Sequence, residues 1–252
     1  MNTTLILKLF LVPLLIWGVT LAGRKWGPTV AGWLSAFPIV AGPILLIISL
    51  ERGSAFAAHA AQGTLLAVLA MMVFSLAYAW ASGRFRVAGS MLCALSAWAL
   101  AVLALQWLHV PPWLGYMLVI ATLLLVPRLF PVITEVPLPT TRPNDLPWRM
   151  LAAALLVLGV TFFAVRLGAR LAGFLAMFPV MGTVLTGFSH HYCSRAFAVA
   201  LLRGTVFGFF AFATFCLLII TQLEALGIAS GFLLAFGAAL VVQLGVKYAM
   251  GR

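Results

Sequence analysis

His59 and Gln62 stand three residues apart in an apolar stretch, so on a helix they share one face. A shift of 141 residues brings Gln62 onto Arg203 and Thr64 onto Thr205, in a second apolar stretch of the same kind. An imidazole, a carboxamide, two hydroxyls and a guanidinium are together a donor-rich set suited to an anion. Ionisable groups within hydrocarbon are costly and therefore raise a functional hypothesis. Arg203 reads in two ways. It supplies charge to an anionic solute, with His59 and Gln62 as hydrogen-bonding partners from the other copy, or it snorkels to a membrane surface about 10 Å away. His59 is either a packing histidine or a proton carrier, because its ordinary pKa is the one nearest neutrality.

Phe37-Pro38 and Phe178-Pro179 fall on each other under the same shift. Proline removes one backbone donor and orphans the carbonyl four residues earlier, here Leu34 and Leu175. Inside a bilayer such a carbonyl has to face protein or a hydrated cavity. The neighbours are small, including Gly32, Ser35 and Ala41 in one copy and Gly173, Ala176 and Gly182 in the other. The pairs read either as broken helices crossing at a central site or as kinks that improve packing.

Other chemistry is sparse. Glu51-Arg52-Gly53 closes a span on one side, where Glu51 is a gate candidate or part of an ordinary surface turn. His190, His191 and Cys193 lack a fourth ligand or nearby carboxylate, so no metal is expected there. Cys93, Cys193 and Cys216 read as packing thiols. Zincin, phosphate-loop and nucleophile-elbow motifs are absent from the sequence. His59 with Glu51 is the one acid–base combination an enzyme would have, so neither catalysis nor a cofactor is expected.

These residues need elements to hold them. The chain is 65% hydrophobic and 8% charged, against about 25% charged in a soluble domain. That composition predicts an all-α polytopic membrane protein. About 20 apolar residues cross a bilayer, which gives nine spans near 5–23, 28–50, 55–80, 87–108, 111–130, 148–165, 170–189, 196–221 and 227–248. No cleavable leader is expected. Pro137, Pro139, Pro143 and Pro147 mark a polar connector after span five. The net charge of +11 is spread singly over span ends, without the basic run that nucleic acid needs.

If span five crosses, ten basic residues collect on one side and four on the other; otherwise the split is eight to six. The first obeys the positive-inside rule. It places the N-terminus outside a bacterial inner membrane and the C-terminus in the cytoplasm. Residues 1–108 and 148–252 then form two four-helix repeats, and 109–147 form a crossing helix and cytoplasmic linker. This 4+1+4 plan turns the second repeat upside down. The repeats realign without a gap through Gly18-Val19-Thr20 on Gly159-Val160-Thr161, and Ala55-Phe56-Ala57 on Ala196-Phe197-Ala198. Inverted repeats of this kind are a common ground plan of transporters.

Ala31-Gly32, Phe37-Pro38 and Glu51-Arg52-Gly53, followed by a small-residue-rich helix, resemble the small four-helix membrane proteins of the GlpM type. The resemblance covers residues 5–108 and, more faintly, 146–249, where Glu-Arg-Gly is missing. It implies a fused duplication of a half-size unit and transfers no substrate. The 4+1+4 plan is also similar to that of fused fluoride channels, in architecture alone and with no matching filter motif. The expectation is a transporter or channel with a midplane site for a small or lipid-linked anionic solute. The alternative is a non-transporting scaffold or accessory subunit of an envelope lipid or polymer assembly. Membrane lipid is the expected surrounding partner, and a homodimer is compatible with the pattern.

Overall fold

Long apolar runs without proline become the two longest helices of the chain. In the computed structural model, which describes residues 3–108, 110–133, 144–166 and 178–250, these are Ser54–Ala81 and Arg195–Leu226. The described residues form ten α-helices, a 3-10 turn and no strand. The helices are α1 (Thr3–Trp26), α2 (Pro28–Ser35), α3 (Ala41–Arg52), α4 (Ser54–Ala81) and α5 (Val87–Leu105). They continue with α6 (Pro112–Leu125), α7 (Leu146–Arg166), α8 (Val180–Tyr192), α9 (Arg195–Leu226) and α10 (Ile228–Met250).

The protein is helical and membrane-embedded in character. Five helices, α1, α4, α5, α9 and α10, are long and apolar enough to cross a bilayer. Their outward faces carry Phe10, Leu92, Leu100, Leu233 and Val241, all exposed. A continuous apolar exterior of this kind is solvated by lipid tails rather than water. Inward, α4 packs on α9, and each packs on the helix that follows it.

Span two, expected as one helix over 28–50, is two. α2 stops at Ser35 and α3 starts at Ala41. Span seven is described only from Phe178, where α8 follows two non-helical residues. Residues 170–177 and the connector over 134–143 lie outside the described residues.

Span five is α6, continued by a 3-10 turn over Val126–Arg128. Two hydrogen bonds set its direction. Gln62 Nε2 donates to the Val110 carbonyl before α6, at 2.7 Å, and Trp80 Nε1 donates to the Leu129 carbonyl after it, at 2.9 Å. Gln62 and Trp80 are 18 residues apart on α4, hence about 27 Å. The hydrocarbon core of a bilayer is about 30 Å thick. α6 therefore runs parallel to α4 for nearly that distance.

Other pairs run opposite. Arg24 near the end of α1 pairs with Asp145 at the start of α7. Arg195 at the start of α9 donates to Ser82 Oγ after α4, at 3.1 Å. Thus α1 and α7 are antiparallel, and so are α4 and α9.

The tightest seam joins α2 to α9. A Cβ on Gly32 would run into the Leu201 carbonyl, one on Gly204 into the Thr29 carbonyl, and one on Gly208 into the Trp33 carbonyl. Glycine at these three positions lets the two backbones touch. The sharp reversal between α3 and α4 uses Gly53 at φ 87°, a region that residues with a Cβ avoid.

Candidate functional site: the two helix breaks

The first Phe-Pro pair separates α2 from α3, the second immediately precedes α8, and both make the same local turn. The Ile39 N–H donates to the Phe37 carbonyl at 2.7 Å, and the Val180 N–H to the Phe178 carbonyl at 2.9 Å. Pro179, at φ −78° and ψ 62°, sits in the inverse γ-turn that such a two-residue bond closes. The following helix then restarts on the proline carbonyl. Pro38 accepts from the Gly42 N–H at 2.9 Å, and Pro179 from the Thr183 N–H at 2.8 Å. The carbonyl expected to be orphaned at Leu34 is not. It accepts from the Phe37 N–H at 3.2 Å, because the chain turns away instead of bending as a helix. Leu175 lies outside the described residues.

Each break is seated on the far half of the chain. The first packs on α9 and α10: Ala36 lies against Gly208, and a Cβ on Gly42 would strike the Phe236 ring. The second packs on α4 and α5. Gly182 faces Phe74 and Met71, and Phe178 meets Trp98 edge-on at 5.6 Å between ring centroids. Pro38 and Pro179 are buried, and Phe37 and Phe178 are half-buried against the main core.

The two differ in which polar groups are left without a partner. Several hydroxyls in the membrane helices fold back onto the carbonyl four residues earlier, although Thr20 of α1 is buried without a partner. Ser49 bonds Leu45, Thr64 bonds Ala60, Ser75 bonds Met71, and Thr214 bonds Phe210, at 2.8–2.9 Å. Thr183 and Thr186 of α8 do not: both hydroxyl oxygens are buried without a partner, as is Trp98 Nε1. At the first break the aligned positions are Gly42, Leu45 and Ala239, none with a polar side chain, and the buried groups without a partner are instead Trp33 Nε1 on α2 and Gln243 Oε1 on α10.

The residues singled out from sequence do not converge. Thr205 is buried in the α2–α9 seam, bonded to the Leu201 carbonyl at 3.0 Å and 3.4 Å from Ser35 Oγ. His59 and Gln62 line an open groove of about 460 Å³ between α4 and the α5–α6 connection, with Gly63, Leu66, Leu108 and Val110. Thr64 is half-buried on the same helix. Arg203 is exposed on α9, not in the interior. Its neighbours Leu202 and Gly204 take the buried positions, and the exposure favours the snorkelling alternative. Glu51 is exposed at the end of α3, and Arg52 lies over the Phe56 ring at 5.0 Å.

One charged cluster escaped the sequence reading. The Asp145 carboxylate is fully buried between Arg24 and Arg149, bonded to Arg149 Nε at 2.7 Å. Ser189 Oγ lies 3.4 Å from Arg149 Nη1, and the Phe188 ring lies beneath the same guanidinium at 5.4 Å. Burial pushes the nearby Cys193 thiol up from its ordinary pKa, with Arg149 opposing. The signal was the Asp145–Arg149 spacing of four residues, a helical ion pair. Arg24 comes from the distant α1 and left no local trace. His190 and His191 also turn to aromatic neighbours: His190 Nδ1 is 2.8 Å from Tyr78 Oη, and His191 lies edge-on to Tyr192. Among the described residues, no three His, Cys, Asp or Glu side chains gather as metal ligands.

No family model, curated protein or solved structure matches the chain.

Proposed function

We propose that this chain is a bacterial inner-membrane transporter or channel, built from two inverted four-helix repeats that place a solute site at the helix breaks. The observation that carries the reading is the matched pair of Phe-Pro turns, with equivalent hydrogen bonds 141 residues apart. Under that shift α1 corresponds to α7 and α4 to α9, and both pairs are antiparallel in contact. Buried positions repeat as well: Ala57 with Ala198, Leu65 with Val206, and Phe74 with Phe215. The direction of α6 along α4 supports the extra crossing that an inverted plan needs. The reading has nine crossings, with the N-terminus outside, the C-terminus in the cytoplasm, and the charge asymmetry in the positive-inside sense.

Broken helices near the midplane are a recurrent way to bind a solute, since the start of a half-helix carries partial positive charge. α3 and α8 both start at such a break, which supports an anionic solute, small or lipid-linked. The GlpM-type likeness fits a fused duplication and leaves the substrate open. A non-transporting scaffold is the second reading. It is favoured by the dry seam between α4 and α9, where Ala57, Ala61, Ala198 and Leu202 are buried.

Flux separates the two. The purified chain in liposomes should move a small inorganic anion faster than empty liposomes do. Leak no faster than that of empty liposomes, across sodium fluoride, chloride, nitrate and phosphate gradients, would leave the scaffold reading. A reporter fused after residue 145 should be cytoplasmic; an extracytoplasmic signal would end the inverted plan.

A further inference from the structure

We propose that the second break is a binding site for a small inorganic anion, held by Trp98 Nε1, the Thr183 and Thr186 hydroxyls, and the first turn of α8. The proposal rests on the transporter reading for its purpose but not for its chemistry.

The chemistry begins with the unpaired donors. An indole N–H donates and does not accept, so whatever completes Trp98 must be an acceptor. Trp98 is 5% exposed and Thr186 is 0% exposed, and a polar group buried without a partner costs about 1–3 kcal/mol. Thr20, Trp33 and Gln243 also carry buried unpaired atoms, but only here do three such groups lie on one pair of contacting helices among the described residues.

Their placement follows from contacts on the same helices. Gly187 lies against Met91 and Val87 of α5, so Thr183, one turn earlier, is on the α5-facing side of α8. Gly182 lies against Phe74 and Met71 of α4, so Thr186, one turn later, is on the α4-facing side. Trp98 reaches the start of α8 through its contact with Phe178. The donors thus lie along the first two turns of the 13-residue α8, whose start favours negative charge. The Phe178 ring adds a weakly positive edge. No cationic side chain is among these groups, which suits a small monovalent ion stripped of water better than a multiply charged one.

Thermal unfolding of the purified full chain tests this. Sodium fluoride, chloride or nitrate replaces sodium gluconate at constant ionic strength. At least one of the three is expected to raise the midpoint saturably. The isosteric double variant Thr183→Val/Thr186→Val should need about tenfold more of that salt for half the shift, or more, because it loses two donors. Trp98→Phe should weaken it too, Thr183→Ser/Thr186→Ser should restore it, and Thr122→Val on α6 should leave it unchanged. If no salt stabilises the wild type, the donors hold water only and the proposal falls. It falls equally if the double variant keeps the wild-type half-saturation. Saturable binding without flux would sink the transport reading and leave the site standing. Flux with an unaffected double variant would sink the site alone.

Discussion

The two Phe-Pro breaks share a backbone and differ in almost everything around it. Both close a γ-turn on the phenylalanine carbonyl, and both restart a helix on the proline carbonyl. At the first, Phe236 fills the space beside Gly42, and the seam of Gly32, Gly204 and Gly208 clamps α2 to α9. At the second, three buried donors stand without acceptors. The backbone turn therefore belongs to the dipeptide, and the chemistry to the helices packed against it. On the proposed reading, the first break serves as structure and the second as a site.

This contrast can be attacked from its strongest side. Gly204→Leu drives a side chain into the Thr29 backbone and should abolish folded protein, seen as loss of the monodisperse peak in size-exclusion chromatography. Thr186→Leu, at the second break, should leave that peak in place. Next in size is Asp145→Ala, which leaves two guanidinium groups facing each other. Removing one partner of a buried ion network costs about 3–5 kcal/mol, so the thermal midpoint should drop steeply, with Asp145→Glu recovering part of the loss.

The prolines come third. Pro38→Ala and Pro179→Ala should each leave folded yield near normal while cutting flux, because an unbroken helix is the more stable local form. Loss of the anion-dependent midpoint shift is expected for Pro179→Ala alone. Equal loss in both would erase the proposed division of labour. The smallest effect is the most discriminating. In anion-free buffer Thr186→Val should stabilise by about 1 kcal/mol, since it removes an unpaired hydroxyl. Thr214→Val, whose hydroxyl is bonded to the Phe210 carbonyl, should give no such gain in the same denaturation series.

The first interruption was legible in sequence because proline removes a donor, although Pro13 stands inside α1 without ending it. The long helices were legible because length and apolarity need no tertiary context. Side-chain direction was not. Gln62 and Arg203 align, yet Gln62 reaches Val110 while Arg203 is exposed, and a rotation of one residue along a helix decides which face a group occupies. The donors at Trp98, Thr183 and Thr186 were invisible for a related reason. Whether a hydroxyl is paired depends on the carbonyl one turn back and on the neighbouring helix, and composition records neither. Asp145 read as a linker residue because Arg24, its second partner, lies 121 residues away.

That separation has a temporal meaning. A ribosome adding about 5–20 residues per second emits Arg24 roughly ten seconds before its carboxylate exists. Until then Arg24 lacks this carboxylate, and synthesis of the start of α7 delivers it. The nascent protein thus holds an electrostatic appointment between its two ends, and the later arrival completes the earlier one.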